Sequence, residues 1–140
     1  MSYKEEMIDK LSKIENLVFV GGTSEYIQGV KDKLNDIDIV VLNIEDLENF
    51  GYIHKFELDL FYGLSGNRGV ILKKDLLIDI FIEKKLPYYT IINGKKCQTI
   101  DSMIELREKT LKFSSLKIKN IKDKIKFNLN RLKKWKQLQS

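Results

Sequence analysis

The chain has 140 residues, enough for one domain with a usable core and no need of disulfide or metal staples. Its 43% hydrophobic and 32% charged residues exclude a disordered or collagen-like chain, and a lone cysteine, Cys97, beside a lone histidine, His54, excludes both a disulfide framework and a cysteine–histidine zinc cage. The net charge of +5 is split, with twelve Lys/Arg against two acids from Arg107 to Ser140 (net +10) and thirteen against eighteen from Met1 to Leu106 (net −5).

Met7, Ile8, Leu11 and Ile14 fall near helical spacing, so an amphipathic helix is expected from Tyr3 to Ile14. The apolar run Leu17-Val18-Phe19-Val20 stops at Gly21-Gly22 and reads as a buried strand. Thr23 or Ser24 is then placed to cap a short helix that ends near Gly29. Ile37, Ile39 and Val41 alternate with Asp36, Asp38 and Val40, a second strand with an acidic end. Ile44 to Phe50 is expected as a helix closed by Gly51, and Phe56 to Tyr62 and Gly69 to Leu72 as strands around a Gly/Ser/Asn-rich loop. Lys73-Lys74-Asp75 makes a turn into a strong strand, Leu76 to Ile82, and Asn93-Gly94 a hairpin turn before a structural Cys97. Tyr88 and Tyr89 are expected to pack in the domain, with closure over a base as the functional alternative.

Two helices close the chain, Asp101 to Phe113 and Leu116 to Gln137. In the second, Ile118, Ile121, Ile125, Leu129, Leu132 and Trp135 form an apolar stripe whose cover is open between the domain itself, the preceding helix and a partner subunit. Clustered Lys/Arg on this segment points to an anionic contact, nucleic acid or an acidic protein face; the plainer reading is a solvated helix face. The order of elements is an α+β plan, a mostly β centre with helices grouped at the ends. No apolar run approaches the roughly 18 residues of a membrane span. The opening MSYKEEMIDK is charged where a signal peptide would be apolar, so a cytoplasmic chain with no membrane partner is expected.

The stretch Phe19-Val20-Gly21-Gly22-Thr23-Ser24, with Asp36-Ile37-Asp38-Ile39-Val40 behind it, carries the chemistry. Residues two apart on a strand share a face, so Asp36 and Asp38 project together while Ile37 and Ile39 enter the core. Adjacent carboxylates repel, and Mg²⁺ suits them because it takes one or two carboxylates plus waters and substrate phosphates. Asp79 interrupts the apolar strand Leu76 to Ile82, and a lone buried carboxylate there is expensive unless paired or metal-bound. Its structural alternative is an ion pair with a lysine such as Lys73; Asp59, with Glu57 beside it on a solvated face, is a weaker rival for the third acid. Gly21 and Gly22 let backbone approach a ligand closely, and helix-start N–H groups with the hydroxyls of Thr23 and Ser24 make a place for nucleotide phosphates. No Gly-Lys-Ser/Thr follows, so this is not a Walker loop.

These residues together resemble the nucleotidyltransferase superfamily, the fold shared by DNA polymerase beta, the CCA-adding enzymes and small bacterial nucleotidyltransferases. Its pattern is an apolar strand, Gly-Gly or Gly-Ser, a short helix, Asp-x-Asp on the next strand and a third acid on a later one. The match runs from Leu17 to Ile82, and Gly21-Gly22-Thr23 with Leu34-Asn35-Asp36-Ile37-Asp38-Ile39-Val40-Val41 looks closest to abortive-infection and toxin–antitoxin members.

The resemblance implies a small mixed sheet flanked by helices. Residues 1–100 would be the catalytic domain and 101–140 a basic helical segment packed on it or on a partner. It implies transfer of a nucleoside monophosphate from ATP or another nucleoside triphosphate to an RNA 3′ end or a protein hydroxyl, with two Mg²⁺ (or Mn²⁺) ions. Asp36 and Asp38 would hold both ions, Asp79 would serve the ion nearer the acceptor and help take its proton, and Gly21, Gly22, Thr23 and Ser24 would fix the pyrophosphate. Many small members carry Arg shortly after the glycines, where this chain has Glu25-Tyr26-Ile27-Gln28, so a basic phosphate contact must come from elsewhere, with Lys31, Lys33 and Arg68 as candidates. A binding module on the same scaffold, without turnover, is the competing function. A plain nucleic-acid-binding domain is disfavoured by the acidic front half.

Overall fold

The structure, a computed structural model, describes residues 2–57, 65–113 and 119–139. Helix α1 (Tyr3–Leu11) begins where the Ser2 hydroxyl accepts the Glu5 N–H at 3.2 Å, with Glu5 and Glu6 in its first turn. It stops a turn earlier than the apolar spacing predicts: after the last helical bond, Ser12 N–H to the Ile8 carbonyl, Lys13 and Ile14 bond only three residues back, to the Lys10 and Leu11 carbonyls, as a tightened turn. Strand β1 (Leu17–Phe19) leads into α2 (Gly21–Ile27), and β2 (Ile37–Val41) follows. Ile44–Phe50 is a 3₁₀ segment rather than an α-helix, and it is closed by Gly51 as expected.

Strands β3 (His54–Glu57), β4 (Asn67–Lys73) and β5 (Leu76–Ile82) form a meander; the expected strand through Tyr62, and Asp59 with it, runs outside the described residues. Lys74 and Asp75 both take positive φ, 51° and 62°, the geometry that lets a two-residue turn match the twist of its strands. Asn93 and Gly94 repeat that turn between β6 (Tyr89–Ile92) and β7 (Lys95–Gln98). Thr99 opens α3 (Ile100–Phe113), its hydroxyl accepting the Ser102 N–H at 3.1 Å, and α4 (Lys119–Gln139) ends the described chain. The expected start of that helix at Leu116 lies outside the described residues.

The seven strands among the described residues join one mixed sheet in the order β3-β4-β5-β2-β1-β7-β6. The α+β expectation holds at that level, but the sheet is larger than the small one expected. β2 lies antiparallel to β1 and parallel to β5 at the centre. One face packs Leu17, Phe19, Ile37, Ile39, Ile78 and Ile80 against Met7, Ile8 and Leu11 of α1. Each of these buried aliphatic side chains contributes about 1.5–3 kcal/mol. The other face carries a smaller apolar group, Val18, Val20 and Val40 with Phe81 and Leu86, and strand alternation puts Asp38 and Asp79 on that side.

The later part of the stripe is covered from within the chain: Leu129 and Leu132 are buried, α4 packs along α3, and Trp135 reaches Gly29, while Ile118 lies outside the described residues. Tyr88 and Tyr89 do not pack inward; they stay 77% and 42% exposed, just before and at the start of the edge strand β6. No described helix is long and apolar enough to cross a membrane.

Candidate active site

The two central parallel strands place Asp38 beside Asp79, paired in register, with Asp36 exposed just before β2 begins. The Val20 N–H bonds the Asp38 carbonyl at 3.0 Å, and the chain then bends at Gly21, whose φ of +53° is strained for any side chain. A Cβ there would also stand 3.2 Å from Asp38 Oδ2, so the bend brings bare backbone onto the carboxylate.

Thr23 fixes that approach. Its buried hydroxyl donates to the Asp36 carbonyl at 3.2 Å and accepts the Asp38 N–H at 2.8 Å, tying the glycine bend to the acidic end of β2. Ser24 points elsewhere, donating to the Gln98 carbonyl at 2.7 Å and accepting from Gln28 Nε2 at 2.8 Å. Both hydroxyls are therefore engaged by the protein rather than free to face a phosphate. Nor does either cap α2: the helix begins at Gly21 itself, after an extended Val20, with no side-chain cap. In a site this crowded, buried hydroxyls are satisfied by the nearest main chain.

Burial raises the Asp38 carboxyl to about 7, and the negative charges of Asp79 and Asp36 add to the effect; Lys31 and Arg68 oppose it. Asp79 has a resident counter-charge. Arg68 Nη2 lies 2.8 and 2.7 Å from its two oxygens, and the guanidinium sits 3.7 Å over the Phe81 ring. The lysine partner suggested by sequence is thus replaced by Arg68, and the register explains it. Val70 pairs with Asp79 and Arg68 with Phe81, so alternation puts Arg68, Val70, Asp79 and Phe81 on one face and Lys73 on the other.

Behind the glycine bend, Glu25 of α2 is only 1% exposed and receives Arg131 of α4 at 2.6 Å and Arg107 of α3 at 3.6 Å. Burial lowers the Arg107 pKa, while Glu25 and Asp38 favour its charge. Sequence reading missed this cluster. A signal was present: the chain has only three arginines among its 25 basic residues, and each pairs with a buried or half-buried acid. Planar, weakly hydrated guanidinium is the cation suited to such positions.

No family model, curated protein or solved structure matches this chain.

The donor chemistry can still be tested against a metal ion. Asp36, just ahead of β2, and Asp38, within it, offer hard oxygens, and Asp38 carries a repulsion that a divalent cation would relieve, so this pair fits Mg²⁺ or Mn²⁺. Asp79 fits as a further ligand only when its bonds to Arg68 are exchanged. Accordingly, no group of three His, Cys, Asp or Glu among the described residues forms a ready cage. Beside Arg68 an open hollow of about 380 Å³ is lined by Lys55, Phe56, Glu57, Asn67 and Ile82. His54 lies exposed in β3, and Cys97 is buried with its thiol pushed up to about 11 by desolvation, so neither joins the site.

Proposed function

We propose that the chain is a Mg²⁺-dependent nucleotidyltransferase with a nucleotidyltransferase fold, moving a nucleoside monophosphate from a nucleoside triphosphate to a hydroxyl of RNA or protein. The observation that carries the reading is the in-register pair Asp38 and Asp79 on parallel central strands, with the Gly21 bend laid against the Asp38 carboxylate. The order of apolar strand, glycines, short helix, Asp-x-Asp and third acid supports it further.

In this reading Asp36 and Asp38 hold magnesium. The bound metal neutralises triphosphate charge and lowers the pKa of the acceptor hydroxyl. The acceptor oxygen forms a bond to the α-phosphorus as the bond to pyrophosphate breaks, and the acceptor proton leaves toward the Asp79 carboxylate. Arg68 orients that carboxylate through contacts of 2.7–2.8 Å to its two oxygens. Thr23 keeps the two aspartates in place against the glycine bend.

A second reading has its own support: the Arg68–Asp79 pair already satisfies the third acid, as in a scaffold that binds without turnover. Incubation with each labelled nucleoside triphosphate, Mg²⁺ and total RNA or cell extract separates the two. Label should pass to RNA or protein, and Asp36→Asn with Asp38→Asn should lower transfer by about 10³-fold or more while thermal unfolding stays cooperative. No transfer to any acceptor by the wild type would leave the binding scaffold as the function; transfer that survives the double change would remove these carboxylates from the chemistry.

A further inference from the structure

Three cations compete, on sequence, to replace the missing arginine after the glycines, and their positions differ sharply. Lys33 is exposed, and Arg68 spends its Nη2 on Asp79. Lys31 is half-buried and lies on the glycines. The chain leaves α2 through a tight reversal, Val30 N–H to Glu25 carbonyl at 2.8 Å, so the Lys31 side chain runs back beside the helix toward its start. Its ammonium occupies the space that a side chain at position 22 would take: a Cβ on Gly22 would be 2.6 Å from Lys31 Nζ and 3.9 Å from Asp38 Oδ2. Among the described residues this ammonium has no hydrogen-bonded partner and no salt-bridge contact, and its charge acts on Asp38 only from a distance, favouring the ionised carboxyl. A flexible, strongly hydrated cation held over bare backbone with its three donors unused is placed to receive an anion.

We infer that Lys31 is the polyphosphate-binding residue of this site, contacting the β- and γ-phosphates of the donor, and that Gly22 lacks a side chain in order to seat its ammonium. The inference rests on the nucleotidyltransferase reading for the identity of the donor, though not for the presence of a polyphosphate site. The glycine matters here for the room it leaves beside a charged group, which is a separate role from the bend at Gly21.

Binding of inorganic tripolyphosphate in Mg²⁺, measured by calorimetry, tests it without requiring turnover. Lys31→Met should weaken binding about tenfold, the loss expected for one charge-assisted contact. Lys31→Arg should recover most of that loss, and Lys33→Met should change nothing. Gly22→Ala keeps every charge and displaces only the ammonium; it should weaken binding in the wild type and add little in the Lys31→Met background. Unfolding midpoints of the four single variants should stay close to the wild type.

Equal affinity of Lys31→Met and wild type would overturn the inference, as would an equal loss in Lys33→Met. Label transfer by a wild type whose tripolyphosphate affinity ignores Lys31 would sink this assignment alone. Lys31-dependent tripolyphosphate binding with no transfer to any acceptor would sink the transferase reading and leave the polyphosphate site standing.

Discussion

Asp38 binds its proton far more tightly in the folded chain than in the unfolded one, with a carboxyl raised from 3.8 to about 7 by burial and by two neighbouring acids. Folding therefore takes up a proton between those values, and stability from this group is complete below about pH 4 and falls as pH rises toward 7. Above 7 the metal-free protein holds an ionised, crowded carboxylate. Asp38→Asn should consequently raise the melting temperature at pH 8 without metal, by the equivalent of roughly 2 kcal/mol, and change it little at pH 4. Mg²⁺ should stabilise the wild type at pH 8 more than at pH 6, because it competes with that proton, and should do little for the variant. Thermal unfolding at the three pH values, with and without Mg²⁺, reads all of this; a variant less stable than the wild type at pH 8 would contradict the crowding. At this scale the sequence was informative where chemistry is local. One acid in an apolar strand marks Asp79, whereas Asp36, which period-two alternation puts on the face of Asp38, sits exposed just ahead of β2. The partner of Asp79 was not legible, since choosing Arg68 over Lys73 depends on the β4–β5 register.

Helix α2 spans seven residues and has no side-chain N-cap, so its position depends on what grips it. Thr23 ties it to β2, Ser24 to β7, and Glu25 to both C-terminal helices through Arg107 and Arg131. Three consecutive side chains thus make one junction, and removing the acid leaves two partly buried guanidinium groups without a counter-charge. Glu25→Gln should cost about 3 kcal/mol in urea unfolding, against a few tenths for an exposed acid such as Glu48. Arg107→Met in the Glu25→Gln background should return part of the loss, because the unpaired cation is the source of the cost. If Glu25→Gln unfolds at the wild-type urea concentration, the cluster is not what anchors α2. Strands and hairpins were the elements sequence read best: β5 matches residue for residue, and the Asn-Gly turn declares itself. Thr23 and Ser24 misled because small hydroxylated residues near a helix start usually cap it, whereas tertiary neighbours claim both hydroxyls here. Tyr88 and Tyr89 misled for a related reason, since an edge strand is recognisable only once the strand order is known.

Over the whole molecule, the split between acidic front and basic tail takes a definite form. Helix α4 turns Leu129, Leu132 and Arg131 inward, so deleting it would expose the core and free Glu25; truncation therefore cannot separate acceptor binding from folding. Its outer face is separable. Lys133 and Lys136 pair with Glu108 and Asp101, whereas Lys124, Lys126 and Lys134 are exposed around Phe127, itself 66% exposed. Lysines that engage RNA phosphates release counterions, and each such contact on a single strand contributes about 0.7 to the slope of log affinity against log salt. Reversing Lys124, Lys126 and Lys134 to Glu should weaken RNA binding by tenfold or more at low salt and flatten that slope by about 2, while tripolyphosphate affinity and melting temperature hold. An unchanged RNA affinity and salt slope in the triple variant would make the basic tail a solvated surface and move the acceptor from RNA to a protein hydroxyl.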